Sequence, residues 1–231
     1  MKKFTVLLLV LFFTASIAAC SYGQEESESS DASSGSTLSV QEEAANTPDG
    51  GNNRILVAYF SWADNAVIEG EVDAVASPSV TAPGHVAQLA SWVQEETGGD
   101  LFSIRVTEPY SSDWDECLDR ANNERSQNVR PELTEAVDNI EEYDVVFLGY
   151  PNWWYGAPMA LLSFIEANDL SGKQVYLFCS HGTGGLAGSV DDIEDALPDS
   201  AVLSDNVFDV YEEEASESQS GILSWLSDLG Y

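Results

Sequence analysis

The chain has 231 residues, with 8 Lys and Arg against 40 Asp and Glu, which gives a formal net charge of −32 at pH 7. This charge argues against nucleic acid as a partner, because neutralising phosphates requires clustered Lys and Arg. The three cysteines form no Cys-x-x-Cys pair and have no zinc-ligand spacing, so no metal site is predicted.

The first 20 residues have the pattern of a secretory signal, in which Lys2 and Lys3 precede an apolar run that ends in Ser-Ile-Ala-Ala before Cys20. The run is too short for a dependable transmembrane helix. Cleavage near Ala19 would make it an ordinary signal peptide. The alternative, which we favour, is a bacterial lipoprotein signal, which the stretch SIAAC resembles. This predicts a lipid anchor on Cys20 and an extracytoplasmic location at the bacterial cell membrane.

Residues 21–53 are rich in Ser, Glu and Gly and contain one aromatic side chain. Such a segment cannot bury enough apolar surface to fold, so it predicts a disordered Ser/Glu-rich tether. The remaining stretch, 54–231, is long enough for one domain with a sizeable core.

Apolar strand patterns alternate with helical patterns along residues 54–231. Strands are predicted at 54–60, 101–106, 144–150, 173–180 and 201–210, and helices at 84–99, 114–126, 131–143, 158–168, 190–197 and 215–230. This alternation predicts an α/β fold, in which helices cover both faces of a five-stranded parallel sheet. Ligands bind such sheets at the carboxyl ends of the strands, so the loops after the first, third and fourth strands are the candidate site.

The first loop begins with the sequence SWADN at residues 61–65 and reaches the next helix after an insertion at 66–80. Thr81 is suited to cap that helix, and Pro83 suits its first turn. A helix start offers free N–H groups and a positive dipole end to an anion. Since no Lys or Arg lies in 55–104, neutral donors would have to hold the anion. An ordinary capped helix remains the alternative.

The second loop, PNWWYGAP at residues 151–158, carries three adjacent aromatic residues. Flat aromatic ligands stack well on Trp and Tyr, although these rings could instead cap the core. Neighbouring side chains diverge in direction, so we predict that one of Trp153 and Trp154 points inward and the other faces a ligand. Gly156 then leaves room beside them.

The third loop, SHGTGG at residues 180–185, follows the fourth strand. Its glycines allow the backbone to approach a flat ligand closely. His181 could donate to that ligand, act in proton transfer or have only a structural role. The Gly-x-Gly-x-x-Ala spacing at 182–187 does not predict NAD binding, because it follows the fourth strand and precedes a short helix.

Three segments in this order, ILVAYFSW, VVFLGYPNWWYGAPM and LFCSHGTGG, resemble the flavodoxin-like FMN-binding family, in particular its bacterial lipoprotein-type branch. The resemblance implies a doubly wound sheet in the order 2-1-3-4-5, in three α/β/α layers, with FMN at the carboxyl edge. It assigns the phosphate region to Ser61, Trp62, Asn65, Thr81 and Gly84. It assigns the isoalloxazine ring to two loops, formed by Pro151, Asn152, Trp153, Trp154, Tyr155 and Gly156, and by Ser180, His181, Gly182, Thr183, Gly184 and Gly185.

The phosphate loop departs from the family pattern, because the compact loop that usually opens the helix is replaced by SWADN and the 66–80 insertion. Ser77, Ser79 or Thr81 from this insertion and its end could supply the missing donors. The phosphate contacts are therefore the part of the site that the resemblance fixes least.

The resemblance implies a membrane-anchored flavoprotein that binds FMN non-covalently for electron transfer or flavin-dependent reduction. Its partner would be a redox protein or a small-molecule electron acceptor. One alternative is an FMN reductase that uses NAD(P)H or a quinone, and another is a cofactor-free surface-binding lipoprotein. A serine hydrolase is disfavoured, because the chain has no Gly-x-Ser-x-Gly motif.

Overall fold

The computed structural model describes residues 53–68, 70, 72 and 77–231. The predicted signal peptide with Cys20, and the predicted tether up to residue 52, lie outside the described residues. Parts of the 66–80 insertion lie outside them as well. The described residues thus cover most of the predicted domain at 54–231.

A parallel sheet forms the centre of the domain, in the order β3-β1-β5-β6-β7, with β8 pairing on β6 after β7. Its strands are β1 Ile55–Phe60, β3 Asp100–Ile104, β5 Val145–Pro151, β6 Gln174–His181, β7 Val202–Leu203 and β8 Phe208–Tyr211, and a separate pair is formed by β2 Ala66–Val67 and β4 Tyr110–Ser111. The predicted order 2-1-3-4-5 is therefore confirmed. The predicted fifth strand is divided into two short pieces on the same edge of β6.

Helices cover both faces of the sheet, as predicted. They are α1 Trp62–Asn65, α2 Ser77–Val80, α3 His85–Thr97, α4 Trp114–Ser126, α5 Met159–Ala167, α6 Ser189–Ala196 and α7 Gln219–Leu229, with 3-10 turns at Ile140–Glu142 and Glu212–Glu217. Helices α3 and α7 pack with Val57 and Phe147 of the sheet. Helices α4, α5 and α6 pack on the opposite face, against residues such as Leu56 and Leu148.

The alternation of side chains along β1 explains this two-sided core. Val57 and Tyr59 belong to one apolar cluster, whereas Leu56, Ala58 and Phe60 belong to the other. Strand β5 lies between β1 and β6 and is buried along its whole apolar run. The continuous apolar runs in the sequence are thus the central strands, which are covered on both faces.

The predicted helix at 131–143 is wrong. Leu133 forms an antiparallel bridge with Val106, and the Thr134 N–H donates to the Arg105 carbonyl at 2.9 Å. These bonds to the chain beyond β3 hold the first part of the segment extended, so its backbone groups are not available to a helix. Its helix-like apolar spacing is satisfied by packing against the core, through Leu133, Val137 and Ile140.

Three further observations concern membrane-spanning helices, metal-binding groups and cysteines. No helix in the described part of the chain is both long and apolar enough to cross a membrane. The same residues contain no group of three or more His, Cys, Asp or Glu side chains that could hold a metal ion. Cys117 and Cys179 are buried free thiols.

Candidate functional site

A cleft of about 330 Å³ lies at the carboxyl ends of β1, β5 and β6. All three loops that the sequence singles out contribute to it. The first turn of α3 and one face of α4 complete the wall. Its size and largely apolar lining, which includes four Trp and one Tyr, are typical of a small-molecule site.

One end of the cleft lies at the start of α3, where Gly84 precedes the helix with φ at 74°. A Cβ atom on Gly84 would lie 2.7 Å from the Ala63 Cβ and 3.0 Å from the Ser61 Oγ. Glycine is therefore required here both by the backbone conformation and by the close packing of α1. The packing brings Ser61 to the positive end of a 13-residue helix.

Among the described residues the Ser61 hydroxyl at this end has no hydrogen-bond partner, although Ser61 is only 1% exposed. An unsatisfied buried polar group costs about 1–3 kcal/mol, and such groups are rare in native proteins. A ligand that bonds to this hydroxyl would remove the cost. The hydroxyl and the helix start together fit an anion.

Asn65 shapes this loop from within the protein. Its amide group donates to the carbonyls of Ser61 and Ile104, each at 2.9 Å, and its Oδ1 accepts from the Val106 N–H at 2.8 Å. The side chain is buried and these bonds occupy it. Asn65 therefore holds Ser61 in place and does not line the cleft itself.

The aromatic loop after β5 is a tight turn. Trp153 and Gly156 exchange two backbone hydrogen bonds, at 3.0 and 3.1 Å, and the two residues between them have φ of 52° (Trp154) and 59° (Tyr155). Two-residue turns with positive φ at both positions normally carry Asn-Gly or Gly-Gly. Bulky residues in this region cost roughly 1–2 kcal/mol each. Backbone strain of this kind is concentrated at ligand-binding and catalytic sites.

The two tryptophans of the turn have different surroundings, although both line the cleft. The Trp153 ring lies 5.2 Å from Phe60, 6.2 Å from Trp62 and 5.1 Å from Tyr110, all edge-on. No described residue makes a ring contact with Trp154. Trp153 thus packs inward and Trp154 is left beside the cleft, whereas contact of one of these rings with a ligand stays a prediction.

Asn152 and Tyr155 join the second loop to the third. The Asn152 N–H donates to the Ser180 carbonyl at 2.9 Å, and its side-chain amide donates to the Gly185 carbonyl. A Cβ on Gly184 would lie 2.9 Å from the Tyr155 ring, so the bare backbone of Gly184 allows the ring to lie against it. The Asn152 Oδ1 is buried and accepts no hydrogen bond from the part of the chain that the structure describes, so it is available to a ligand N–H.

An ion pair behind the aromatic loop fixes the turn to two helices. Arg125 of α4 donates to both carboxylate oxygens of Asp192 of α6, at 2.7 and 3.2 Å. Asp192 also accepts from the Ala157 N–H at 3.0 Å. A side chain at Gly156 would overlap the Arg125 guanidinium, so the loop approaches this pair only because Gly156 has none.

Three side chains that line the cleft can carry charge, namely His85, His181 and Glu212. The His181 ring nitrogens lie 2.9 Å from the Gly182 carbonyl and 2.9 Å from the Asp209 carboxylate. A neutral ring can donate to only one of these oxygens. Burial is the main cause that raises the pKa of the Glu212 carboxyl, with a smaller contribution from Glu213.

Comparison with known proteins identifies the chain. The sequence profile of the family described as flavodoxin matches residues 54–225. The chain belongs to the flavodoxin family. This confirms the resemblance at family level, and with the observed sheet order it confirms the predicted fold class. No curated protein matches the chain.

Three solved structures are similar to this flavodoxin. A candidate flavoprotein from Bacteroides eggerthii DSM 20697 is 30% identical, with a TM-score of 0.55, over 78% of this chain and 99% of the other. One from Bacteroides uniformis ATCC 8492 is 24% identical, with a TM-score of 0.57, over 76% and 98%. A flavoprotein from Lactobacillus acidophilus NCFM, solved in complex with FMN, is 17% identical, with a TM-score of 0.52, over 73% and 99%. The last two support the fold alone.

Most of the residues assigned from the sequence lie together in the cleft of this flavodoxin. Those that line it are Ser61, Trp62, Pro151, Asn152, Trp153, Trp154, Tyr155, Ser180, His181, Gly182, Thr183 and Gly184. Those that lie behind or beside the lining are Asn65, Thr81, Gly84, Gly156 and Gly185. Asn65 and the three glycines shape the loops that carry the lining residues, whereas Thr81 is exposed.

Sequence reasoning missed the part of the wall that comes from helices. The missed residues are His85, Val86, Trp114, Cys117, Leu118, Ala121 and Glu212, of which those on α4 form a stripe at helical spacing. That stripe is visible in the sequence as the apolar face of an amphipathic helix. Periodicity does not distinguish a face that packs on the core from one whose end borders a cleft.

Proposed function

We propose that this flavodoxin binds FMN non-covalently at the carboxyl edge of its sheet and uses it for electron transfer. The observation that carries the proposal is a pair of buried polar atoms, Ser61 Oγ and Asn152 Oδ1, that find no partner in the described residues and belong to residues that line one cleft. FMN has an anionic phosphate at one end and a flat ring with an N–H donor at the other. The two atoms match these two chemical groups.

The cleft residues fit the cofactor at both ends. Ser61 and the backbone N–H groups at the start of α3 would hold the phosphate, and neither Lys nor Arg lines the described cleft. Trp154, Tyr155 and Asn152 would hold the ring, together with the glycine-rich loop after β6. The FMN that the Lactobacillus acidophilus flavoprotein contains agrees with this choice of cofactor.

FMN supplies reversible electron acceptance when it is bound, and the protein supplies binding, orientation and electrostatics. Tyr155 is 67% exposed, so the wall beside the aromatic loop faces solvent. A redox partner protein or a small-molecule electron acceptor could therefore reach this edge of the site. This accessibility is what electron transfer requires.

A reductase that uses NAD(P)H or a quinone is the second candidate function. Trp114 and Leu118 of α4 extend the apolar wall beyond the loops, and Trp114 is 42% exposed. This surface offers an apolar or aromatic substrate a place to pack. Steady-state turnover of the FMN-loaded protein with nicotinamide and quinone substrates separates this function from that of a carrier, which would show none.

We also propose that the protein is anchored outside the bacterial cell membrane through Cys20. The basic start, the apolar run and the Ala-Ala pair before Cys20 support this location. Cell fractionation of the full chain and of Cys20→Ala tests it. We expect the parent chain in the membrane fraction and the variant outside it, and equal distribution of both chains would contradict the anchor.

The proposed cofactor is tested on the purified full-length chain. We expect flavin absorbance in the protein as isolated, or after FMN is added and the excess is removed. Ser61→Ala and Asn152→Leu should each weaken binding, because each removes one of the two unpartnered polar atoms. A colourless protein that also fails to bind added FMN would overturn the proposal and favour a cofactor-free binding protein.

A further inference from the structure

His85 is the first residue of α3 and lines the cleft at the end where Ser61 lies. Its Nδ1 lies 3.4 Å from the Ser79 Oγ, and no described residue bonds to its Nε2. Three features therefore lie at this end of the cleft. They are the buried Ser61 hydroxyl, which has no partner among the described residues, the start of α3, and the half-buried His85. The first two form an anion site, and His85 is the titratable group beside it.

The charge around this end of the cleft makes the histidine significant. A phosphate monoester carries close to two negative charges at neutral pH, and the full chain already carries −32. Arg105 is the nearest basic residue in the sequence after the 55–104 stretch, and its guanidinium lies 3.9 Å from the Asp64 carboxylate. Neither Lys nor Arg lines the described cleft, so no permanently charged cation there balances a phosphate.

We propose that His85 is the titratable counter-charge for the phosphate, and that it takes up a proton when a phosphorylated flavin binds. This inference rests on the proposed function and adds a property to it. The protein should prefer FMN over riboflavin, which lacks the phosphate, and this preference should be strongest at acid pH. Sequence reasoning assigned no role to His85.

The direction of the pH dependence follows from the two states of the ring. Burial lowers the pKa of His85 in the free protein, because it disfavours the charged form. A neighbouring phosphate favours the charged form and raises the pKa in the complex. FMN affinity is therefore greatest below the pKa of the free protein. It falls as pH rises towards the pKa of the complex.

Other charged groups around this region do not account for the titration. Asp64 on α1 accepts hydrogen bonds from Tyr59 and Ser103. His181 lines the cleft from the end of β6, and Glu212 lines it from the turn after β8. Within the described residues, burial is the cause that lowers the pKa of His85. The neighbour on α2 is the neutral Ser79 hydroxyl.

The first test compares FMN and riboflavin dissociation constants by flavin fluorescence, from about pH 5 to about pH 8.5. For the parent chain we expect FMN affinity to fall about tenfold or more across this range, since one unit of pKa shift corresponds to tenfold. Riboflavin affinity should stay constant. His85→Asn should lose the part of the fall that His85 causes, because the second ionisation of the phosphate near pH 6 is common to both chains.

Two further variants separate the charge from the shape of the side chain. His85→Lys keeps a cation across the range and should bind FMN without the alkaline loss. His181→Asn removes the only other histidine of the chain and should keep the alkaline loss, whatever its overall affinity. Riboflavin binding and circular dichroism of each variant report whether the fold is intact.

The second test follows the ring directly by NMR, where two histidines give two sets of ring signals. We expect the pKa of His85 to rise when FMN binds and to stay unchanged with riboflavin. An unchanged His85 pKa with FMN bound, or a pH profile that His85→Asn shares with the parent chain, would overturn the inference. Failure to bind either flavin would instead overturn the proposed function.

Discussion

Two glycines of this flavodoxin share a positive φ but differ in ψ, which is 157° at Gly84 and 15° at Gly98, and in their surroundings. Gly84 and Gly98 have φ of 74° and 68°. A Cβ on Gly84 would lie 2.7 Å from the Ala63 Cβ and 2.9 Å from the Ser79 carbonyl, whereas a Cβ on Gly98 would meet nothing within 4 Å. Alanine at either position carries the strain of a positive φ. At Gly84 the extended ψ adds to that strain, and the new side chain would also displace its neighbours.

We therefore expect Gly98→Ala to lower the free energy of unfolding by about 1 kcal/mol and leave FMN affinity unchanged. Gly84→Ala should cost about 1–3 kcal/mol more and weaken FMN more than riboflavin, because Ser61 and the start of α3 must move apart. Urea unfolding and flavin titration measure the two effects. Equal loss of FMN affinity in both variants would show that the collision at Gly84 does not matter.

At the scale of single residues, the sequence predicts where the site lies better than what each side chain does. Ser61 and Asn152 follow the apolar strands β1 and β5, so their place at the sheet edge follows from the strand ends alone. That Asn65 bonds to three backbone groups depends on Val106 and Ile104, which lie about 40 positions away in the chain. No local pattern reveals such a contact.

The turn at Trp153–Gly156 is an element whose sequence opposes its conformation. Trp154 and Tyr155 occupy positions that favour Asn and Gly, and the Gly188 N–H donates to the Tyr155 carbonyl at 3.1 Å to help fix the turn. Aromatic side chains at these positions lower the stability of the fold. Both of them line the cleft. The turn is therefore less stable than one with Asn-Gly, and it provides aromatic surface in the cleft.

Replacing Trp154–Tyr155 with Asn-Gly tests both effects. We expect the free energy of unfolding to rise by about 1–2 kcal/mol, because the strain is relieved. Affinity for FMN and riboflavin should fall together, since the ring surface is lost and the phosphate end is untouched. Trp154→Asn and Tyr155→Gly, made singly, divide the effect between the two residues. A variant that binds flavin as well as the parent chain would show that this turn does not hold the ring.

The Arg125–Asp192 pair connects the aromatic turn to helices α4 and α6. Asp192→Asn weakens two charge-assisted bonds and changes the acceptor of the Ala157 N–H, so we expect a loss of about 1–3 kcal/mol in stability and weaker binding of both flavins. Glu166→Gln is the matched control, because Glu166 pairs with Arg130 away from the cleft and is 47% exposed. That change should cost less than about 1 kcal/mol. Thermal unfolding and flavin titration compare the two, and equal effects would contradict a positioning role.

The strands and helices are predictable from the sequence where burial of one face or of both faces produces a regular apolar pattern. Strand β5 is apolar throughout because it is covered on both sides, and α4 begins at Trp114 and ends at Ser126 as its pattern predicts. The segment at 131–143 failed because its apolar spacing is also compatible with an extended chain that pairs with Val106. Long-range pairing overrides a local helical pattern where the two compete.

At the scale of the whole molecule, the acidic composition of the chain makes the electrostatic environment of the cleft negative. The chain has 40 acidic against 8 basic residues, and within the described residues Glu212 is the one Asp or Glu side chain that lines the cleft, where neither Lys nor Arg lies. A negative environment disfavours any further negative charge in the cleft. Long-range contributions to this field are screened by salt, whereas those from buried neighbours are screened much less.

The last step of FMN reduction adds negative charge to the cofactor, so we expect its midpoint potential to lie below that of free FMN. Raising the ionic strength from about 0.01 M to about 1 M shortens the screening length from roughly 30 Å to 3 Å and should raise the potential. The expected shift corresponds to on the order of 1 kcal/mol, the size of one close charge pair in water. Glu212→Gln separates the local carboxylate from the total charge, because it should raise the potential at low and high salt alike. A midpoint above that of free FMN, or one that salt does not move, would show that the acidic surface does not set the potential.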